Sequence, residues 1–180
     1  MRRALLVLAV LVSALALLPV SAGTASSPDW LLTQPPAGPP ARDAHAMAYD
    51  SGRGRVVLFA GANENNFVDF GDTWEWDGTS WIERTPALSP TPRFGHAMAY
   101  DAARGRVVLF GGYDFITGLV LADTWEWDGT NWVKAAPVTS PPGRFGQAMA
   151  YDAKRQRIVL FGGAADTSEL ADTWEWDGTD

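Results

Sequence analysis

Most of this chain is one 51-residue passage written three times. His45–Gly61 reads HAMAYDSGRGRVVLFAG and leads to DTWEWDGTSW at Asp72–Trp81. His96–Gly112 reads HAMAYDAARGRVVLFGG and leads to DTWEWDGTNW at Asp123–Trp132, and Gln147–Gly163 reads QAMAYDAKRQRIVLFGG and leads to DTWEWDGT at Asp172–Thr179. Tyr49, Tyr100 and Tyr151 mark the period. Tandem repetition at this length confines the fold to a solenoid, a propeller or an array of like units.

Within a repeat the local signals are those of strands. HAMAYD alternates small and large side chains. RVVLF is a β-branched and aromatic run stopped by glycine, as in a strand covered on both faces. TWEW alternates with period two, which sets Trp74 and Trp76 on one face and Thr73 and Glu75 on the other. Asp77-Gly78-Thr79-Ser80 then makes a turn before Trp81, with Gly78 free to take positive φ. Each repeat so holds four antiparallel strands, a to d in chain order from His45. One such unit cannot bury both of its faces alone, so the units stack, and radial stacking makes a β-propeller.

These residues resemble the Kelch repeat: a diglycine ending strand b, an aromatic pair in strand c and an Arg ahead of strand a, recurring over residues 30–179. Ala60-Gly61 departs from the diglycine, and Gln147 stands where His45 and His96 stand. The resemblance implies an all-β chain of Kelch-type β-propeller blades, three four-stranded antiparallel blades in permuted order that leave the ring incomplete. It also implies a binding platform.

The permutation is read from spacing. Trp30 to Arg42 is 12 residues, as are Trp81 to Arg93 and Trp132 to Arg144, and each interval holds a Pro-rich bridge. Trp30-Leu31-Leu32 is therefore expected to be a strand d with no a, b or c before it, and a fourth Trp would fall three residues past Asp180. The divisions follow: an export signal over 1–22, strand d and bridge over 23–43, and repeats over 44–94, 95–145 and 146–180. Propellers have about four to eight blades. Two readings stay open: a piece of a six-to-eight-blade protein, or a head-to-tail homodimer completing a six-bladed ring.

Arg2 and Arg3, the apolar run Ala4–Leu18 and the small residues Val20-Ser21-Ala22 have the form of a cleaved export signal, with the mature chain starting near Gly23. The run is shorter than the roughly 20 residues that span a bilayer, so no membrane anchoring is expected after cleavage and the protein is placed outside the cell or in a periplasm. Setting aside Arg2 and Arg3 leaves 12 basic residues against 21 acidic ones, a charge that repels nucleic acid. There is no cysteine, which removes disulfides, thiol chemistry and cysteine metal sites. Stability must come from packing, and nine tryptophans supply it, each worth roughly 5 kcal/mol gross when about 200 Å² is buried.

Residues repeated in every blade read as structure: His45, His96 and Gln147 as hydrogen-bonding positions, Asp72, Asp123 and Asp172 with Glu75, Glu126 and Glu175 as turn and packing groups, and Arg53 and Arg55 as a solvated pair. Arg42, Arg93 and Arg144 precede the strand nearest the axis. They either pair with a carboxylate of the neighbouring blade or bind an anionic ligand bidentately. Variation concentrates in the b–c loops at 62–71, 113–122 and 164–171, which share a face with the d–a bridges, and there Phe67, Phe70, Tyr113 and Phe115 offer flat apolar surface. The oxygen-rich stretch Asn63–Asn66 with Asp69 lacks the spacing and glycine of an EF-hand loop, so no metal or cofactor is expected. The sequence contains no G-x-S-x-G, P-loop or H-E-x-x-H. The expected function is a secreted, non-catalytic module binding a glycan or protein on the loop face. The alternative implied by the resemblance is a mutarotase-like Kelch enzyme acting on a sugar or sugar acid, a copper oxidase being disfavoured for want of a Tyr–Cys cross-link.

Overall fold

All regular structure among the described residues is strand. The computed structural model describes residues 29–63 and 68–179, so the export segment, Phe67 and Glu64-Asn65-Asn66 lie outside the described residues. Residues 29–33 form a unit separate from residues 34–179 and carry no strand, with Trp30, Leu31 and Leu32 exposed. The strand d expected there is not formed within the single chain, because a lone extended segment has no ladder to join.

The first blade pairs β1 (Ala46–Asp50), β2 (Arg55–Asn63), β3 (Val68–Trp76) and β4 (Trp81–Arg84) in that order, all antiparallel. The second uses β5 (Ala97–Asp101) and β6 (Arg106–Phe110), then carries a small hairpin of β7 (Tyr113–Asp114) and β8 (Leu119–Val120) before completing the sheet with β9 (Thr124–Trp127) and β10 (Trp132–Lys134). The third holds β11 (Ala148–Asp152), β12 (Arg157–Phe161) and β13 (Thr173–Trp176). The register repeats: Leu58 faces Trp74, Leu109 faces Trp125 and Leu160 faces Trp174.

The a strands β1, β5 and β11 lie side by side, so the blades radiate from one edge. Period-two alternation gives every blade two unlike faces. Ala48, Val57 and Phe59 point toward the second blade and meet its Met98, Val107, Leu109, Trp125, Trp127 and Trp132 in one core. The same opposition recurs one blade on, where Ala99 and Val108 meet Ile158, Met149, Tyr151 and Trp176. Several polar groups within these interfaces are paired, while both ring nitrogens of the buried His96 have no hydrogen-bond partner there. Glu75, fully buried, accepts from the Trp127 indole at 3.0 Å, and Thr73 Oγ1 accepts from the Trp132 indole at 2.9 Å. Tyr100 and Tyr151 hydroxyls accept backbone N–H groups of Gly52 and Ala103 in the preceding blades.

Candidate functional site

Each arginine ahead of a blade closes a bidentate ion pair. Arg42 donates to Asp72 at 2.6 and 2.8 Å, Arg93 to Asp123 at 2.7 and 3.1 Å, and Arg144 to Asp172 at 2.5 and 2.8 Å. The same guanidinium groups donate to the carbonyls of Ala60, Gly111 and Gly162, and through Nε to those of Pro40, Thr91 and Pro142. Each aspartate also takes an indole N–H two residues on, from Trp74, Trp125 or Trp174. Burial would raise Asp72 and Asp123, but these donations outweigh it and hold both below the usual carboxylate range; Asp172 is lowered chiefly by Arg144.

The aspartate belongs to the arginine's own blade, where sequence reasoning placed it in the neighbour. Asp43 bridges Ala62 at the end of β2, which carries Arg42 beside the start of TWEW in the same sheet, and Phe94–Tyr113 and Phe145–Ala164 repeat the arrangement. Toward the neighbouring blade Arg93 and Arg144 offer their main chain instead: Gly61 N–H donates to the Arg93 carbonyl at 2.9 Å and Gly112 N–H to that of Arg144 at 2.8 Å. The side chains of Arg93 and Arg144 have no exposed surface, and that of Arg42 has 3%. In this state the guanidinium groups offer no free fork to an anionic ligand. Arg53 is not the free solvated group expected either, since it donates to Asp50 at 2.6 Å and Glu75 at 2.5 Å.

The histidine positions lie between blades. Gln147 Nε2 donates to the Phe110 carbonyl of the preceding blade at 2.7 Å, and the His96 ring sits edge-on to Phe59, 5.7 Å between centroids. Burial, with Arg93 and His45 nearby, depresses His96 to about 3, and burial and Arg42 lower His45. Both rings are therefore neutral at physiological pH.

What remains open is the loop face. The first b–c connection is a continuation of β2 and β3, pairing Ala62 with Asp69, and Phe70 lies beneath the Arg42 guanidinium at 4.0 Å, sealing that loop. Tyr113 is wedged between Phe94 and Phe145 with centroids 5.5 and 5.9 Å away, so it is packing more than surface. Beyond it the β7–β8 hairpin stands out. Its turn is fixed by Asp114 Oδ1, which accepts from Ile116 and Thr117, and by Gly118 N–H donating to the Asp114 carbonyl at 2.9 Å. The Phe115 N–H donates to Asp69 Oδ2 at 2.9 Å, tying this hairpin to the first blade's. Phe115, Ile116 and Leu119 on it are 55%, 81% and 58% exposed. Sequence reasoning found Phe115 and missed Ile116 and Leu119, although apolar residues on either side of Thr117-Gly118 were the available signal.

The repeated four-stranded antiparallel blade agrees with a family comparison: the KLHDC2/KLHL20/DRC7 Kelch-repeats domain matches residues 24–177. The chain belongs to the Kelch-repeat family. Kelch repeats serve as protein-binding scaffolds, and this Kelch chain is accordingly a protein-interaction module in broad class. A search of curated proteins found no match.

Proposed function

We propose that the chain is a secreted, non-catalytic module that engages a protein partner through the tip of the β7–β8 hairpin. The observation that carries this reading is the exposed trio Phe115, Ile116 and Leu119 on a turn whose backbone is already fixed. Aromatic and aliphatic anchors presented without ordering cost are what protein interfaces use as energetic centres. Secretion is supported by the leader-like residues 1–22.

A displayed peptide library and a glycan array, both probed with the purified protein, test this. Selected peptides should bind the triple variant Phe115→Ser, Ile116→Ser, Leu119→Ser at least tenfold more weakly, with the thermal midpoint moved by no more than about 2 °C because the three side chains are solvated. Unchanged binding by the triple variant would overturn the hairpin assignment, and hits on the glycan array alone would replace protein by carbohydrate. Recovery of a chain beginning near Gly23 from the medium or periplasm checks export.

A further inference from the structure

We infer that the partner engaged by the β7–β8 hairpin is basic: lysine or arginine side chains flank the apolar group that covers Phe115, Ile116 and Leu119. The inference rests on the hairpin reading and adds the partner's charge to it.

Charge in this chain is sorted by face. In the a–b hairpins, opposite the loop face, Asp50, Asp101 and Asp152 pair with Arg53, Arg104 and Arg155. In the c–d turns of the first and third blades, Asp77 and Asp177 pair with Arg55 and Arg157. The arginines that reach the loop-face ends of the sheets, Arg42, Arg93 and Arg144, are taken up by Asp72, Asp123 and Asp172. All of these pairs recur from blade to blade, so repetition itself balances them.

The carboxylates that do not recur form a separate set. Asp43, Asp69, Asp114, Asp166 and Glu169 lie in the d–a and b–c segments of the loop face. Advancing Asp43 by one and two repeats gives Phe94 and Phe145, and advancing Asp69 and Asp114 by one gives Val120 and Ala165. Among the described residues none of the five closes an ion pair with a lysine or arginine, whereas Asp72, Asp123 and Asp172 beside them all do. The cation nearest this face is Lys134 at the end of β10, and it lies over the Trp125 ring, 5.9 Å from the centroid.

Two of these carboxylates are fastened to the apolar tip itself. Asp69 Oδ2 accepts the Phe115 N–H at 2.9 Å, and Asp114 Oδ1 accepts those of Ile116 and Thr117 at 2.9 and 3.1 Å. Negative charge is therefore held at the backbone of the same residues whose side chains stand 55% and 81% exposed. Asp43, Asp166 and Glu169 are exposed around it. An apolar centre with a charged rim is the ordinary anatomy of a protein interface.

Complementarity then selects the partner. An acidic surface closing over the tip sets like charges together, and a neutral one strips water from carboxylates without replacing it. Lysine or arginine at the rim gives charge-assisted hydrogen bonds and draws the partner in from a distance.

Random peptides displayed on phage and selected on the immobilised full chain at about 50 mM salt test the inference. The selected peptides should combine apolar residues with a net positive charge, and the triple hairpin variant should lose them. Their association with the variant Asp43→Asn, Asp69→Asn, Asp166→Asn, Glu169→Gln should be at least about tenfold slower than with the parent, and the gap should close at about 500 mM salt. The amide oxygens keep the acceptor roles, so the fold stays intact, checked by a cooperative melt. Neutral or acidic peptides, or peptides that bind the charge variant as they bind the parent while the triple variant loses them, would overturn the basic partner and leave the hairpin standing. Peptides indifferent to the triple variant, or a selection that returns no binder, would overturn the hairpin reading and this inference with it.

Discussion

Three backbone positions that hold glycine in two repeats hold a side chain in the third. Ala44 has φ 46° where Gly95 and Gly146 stand, Ala60 has φ 55° where Gly111 and Gly162 stand, and Gln156 has φ 56° where Gly54 and Gly105 stand. A left-handed conformation costs an L-residue roughly 1–2 kcal/mol, partly offset because a side chain also restricts the unfolded chain. Gln156 is exposed at a hairpin tip, so Gln156→Gly should stabilise the protein by about 0.5–1 kcal/mol, read as a higher denaturation midpoint. His96 offers a second residue-scale test. Its folded value of about 3 lies below the ordinary 6.5, so between those pH values the unfolded chain holds a proton that the folded chain lacks. Stability from this group is complete above about pH 6.5 and falls as pH drops, by up to about 1.4 kcal/mol per unit. The lowered aspartates Asp72 and Asp123 add their own loss only below their ordinary value of 3.8. Replacing His96 by Gln, which Gln147 shows the site accepts, should flatten the denaturation midpoint against pH between about 4.5 and 6.5 while leaving the steeper acid limb.

At the scale of elements, the two kinds of arginine should behave differently. Arg93→Ala leaves Asp123 largely buried without its charge partner and three carbonyl and hydroxyl acceptors without their donor, a loss of about 3–5 kcal/mol. Arg155→Ala removes half-exposed pairs and should cost under about 1 kcal/mol. Urea denaturation of both variants separates them. Likewise Trp125→Ala, in the core between two blades, should cost about 3–5 kcal/mol, and Phe115→Ala should stay within about 0.5 kcal/mol. The strands themselves were legible because TWEW and RVVLF carry their own periods, and the opposite faces of Trp74 and Thr73 followed at once. The partner of Arg42 was not legible: a repeat offers an identical aspartate in every blade, and only the Asp43–Ala62 bridge decides which one is reached. The length of β2 and β3 was missed for a related reason, since the polar stretch after Gly61 reads as loop while antiparallel pairing of Ala62 and Asn63 carries the ladder onward. Trp30 failed as a strand in the single chain because strand character depends on a neighbour as well as on side chains.

Over the whole molecule, each blade touches only the blades beside it, so stability is a sum of blade terms and junction terms. The second blade has both faces covered, with Val107, Val108, Leu109 and Phe110 of β6 all buried, whereas Phe161 of β12 is exposed. Hydrogen exchange should therefore be slowest in β6 and at least about tenfold faster in β12, and equal protection would mean that the blades unfold as one unit. The Arg–Asp pair closing inside each blade carries a consequence for how such chains grow. Every charge that a blade needs for its own closure travels with it, and every junction joins the same two faces. A window running from any position to its equivalent in the next repeat, 51 residues from Tyr49 to Tyr100 for example, is thus a complete stacking module. In-frame duplication or loss of that length in the gene adds or removes one blade in a single event, with no poorly packed intermediate for selection to remove, so blade number can drift on the timescale of recombination while the sequence of each blade is held still by its neighbours.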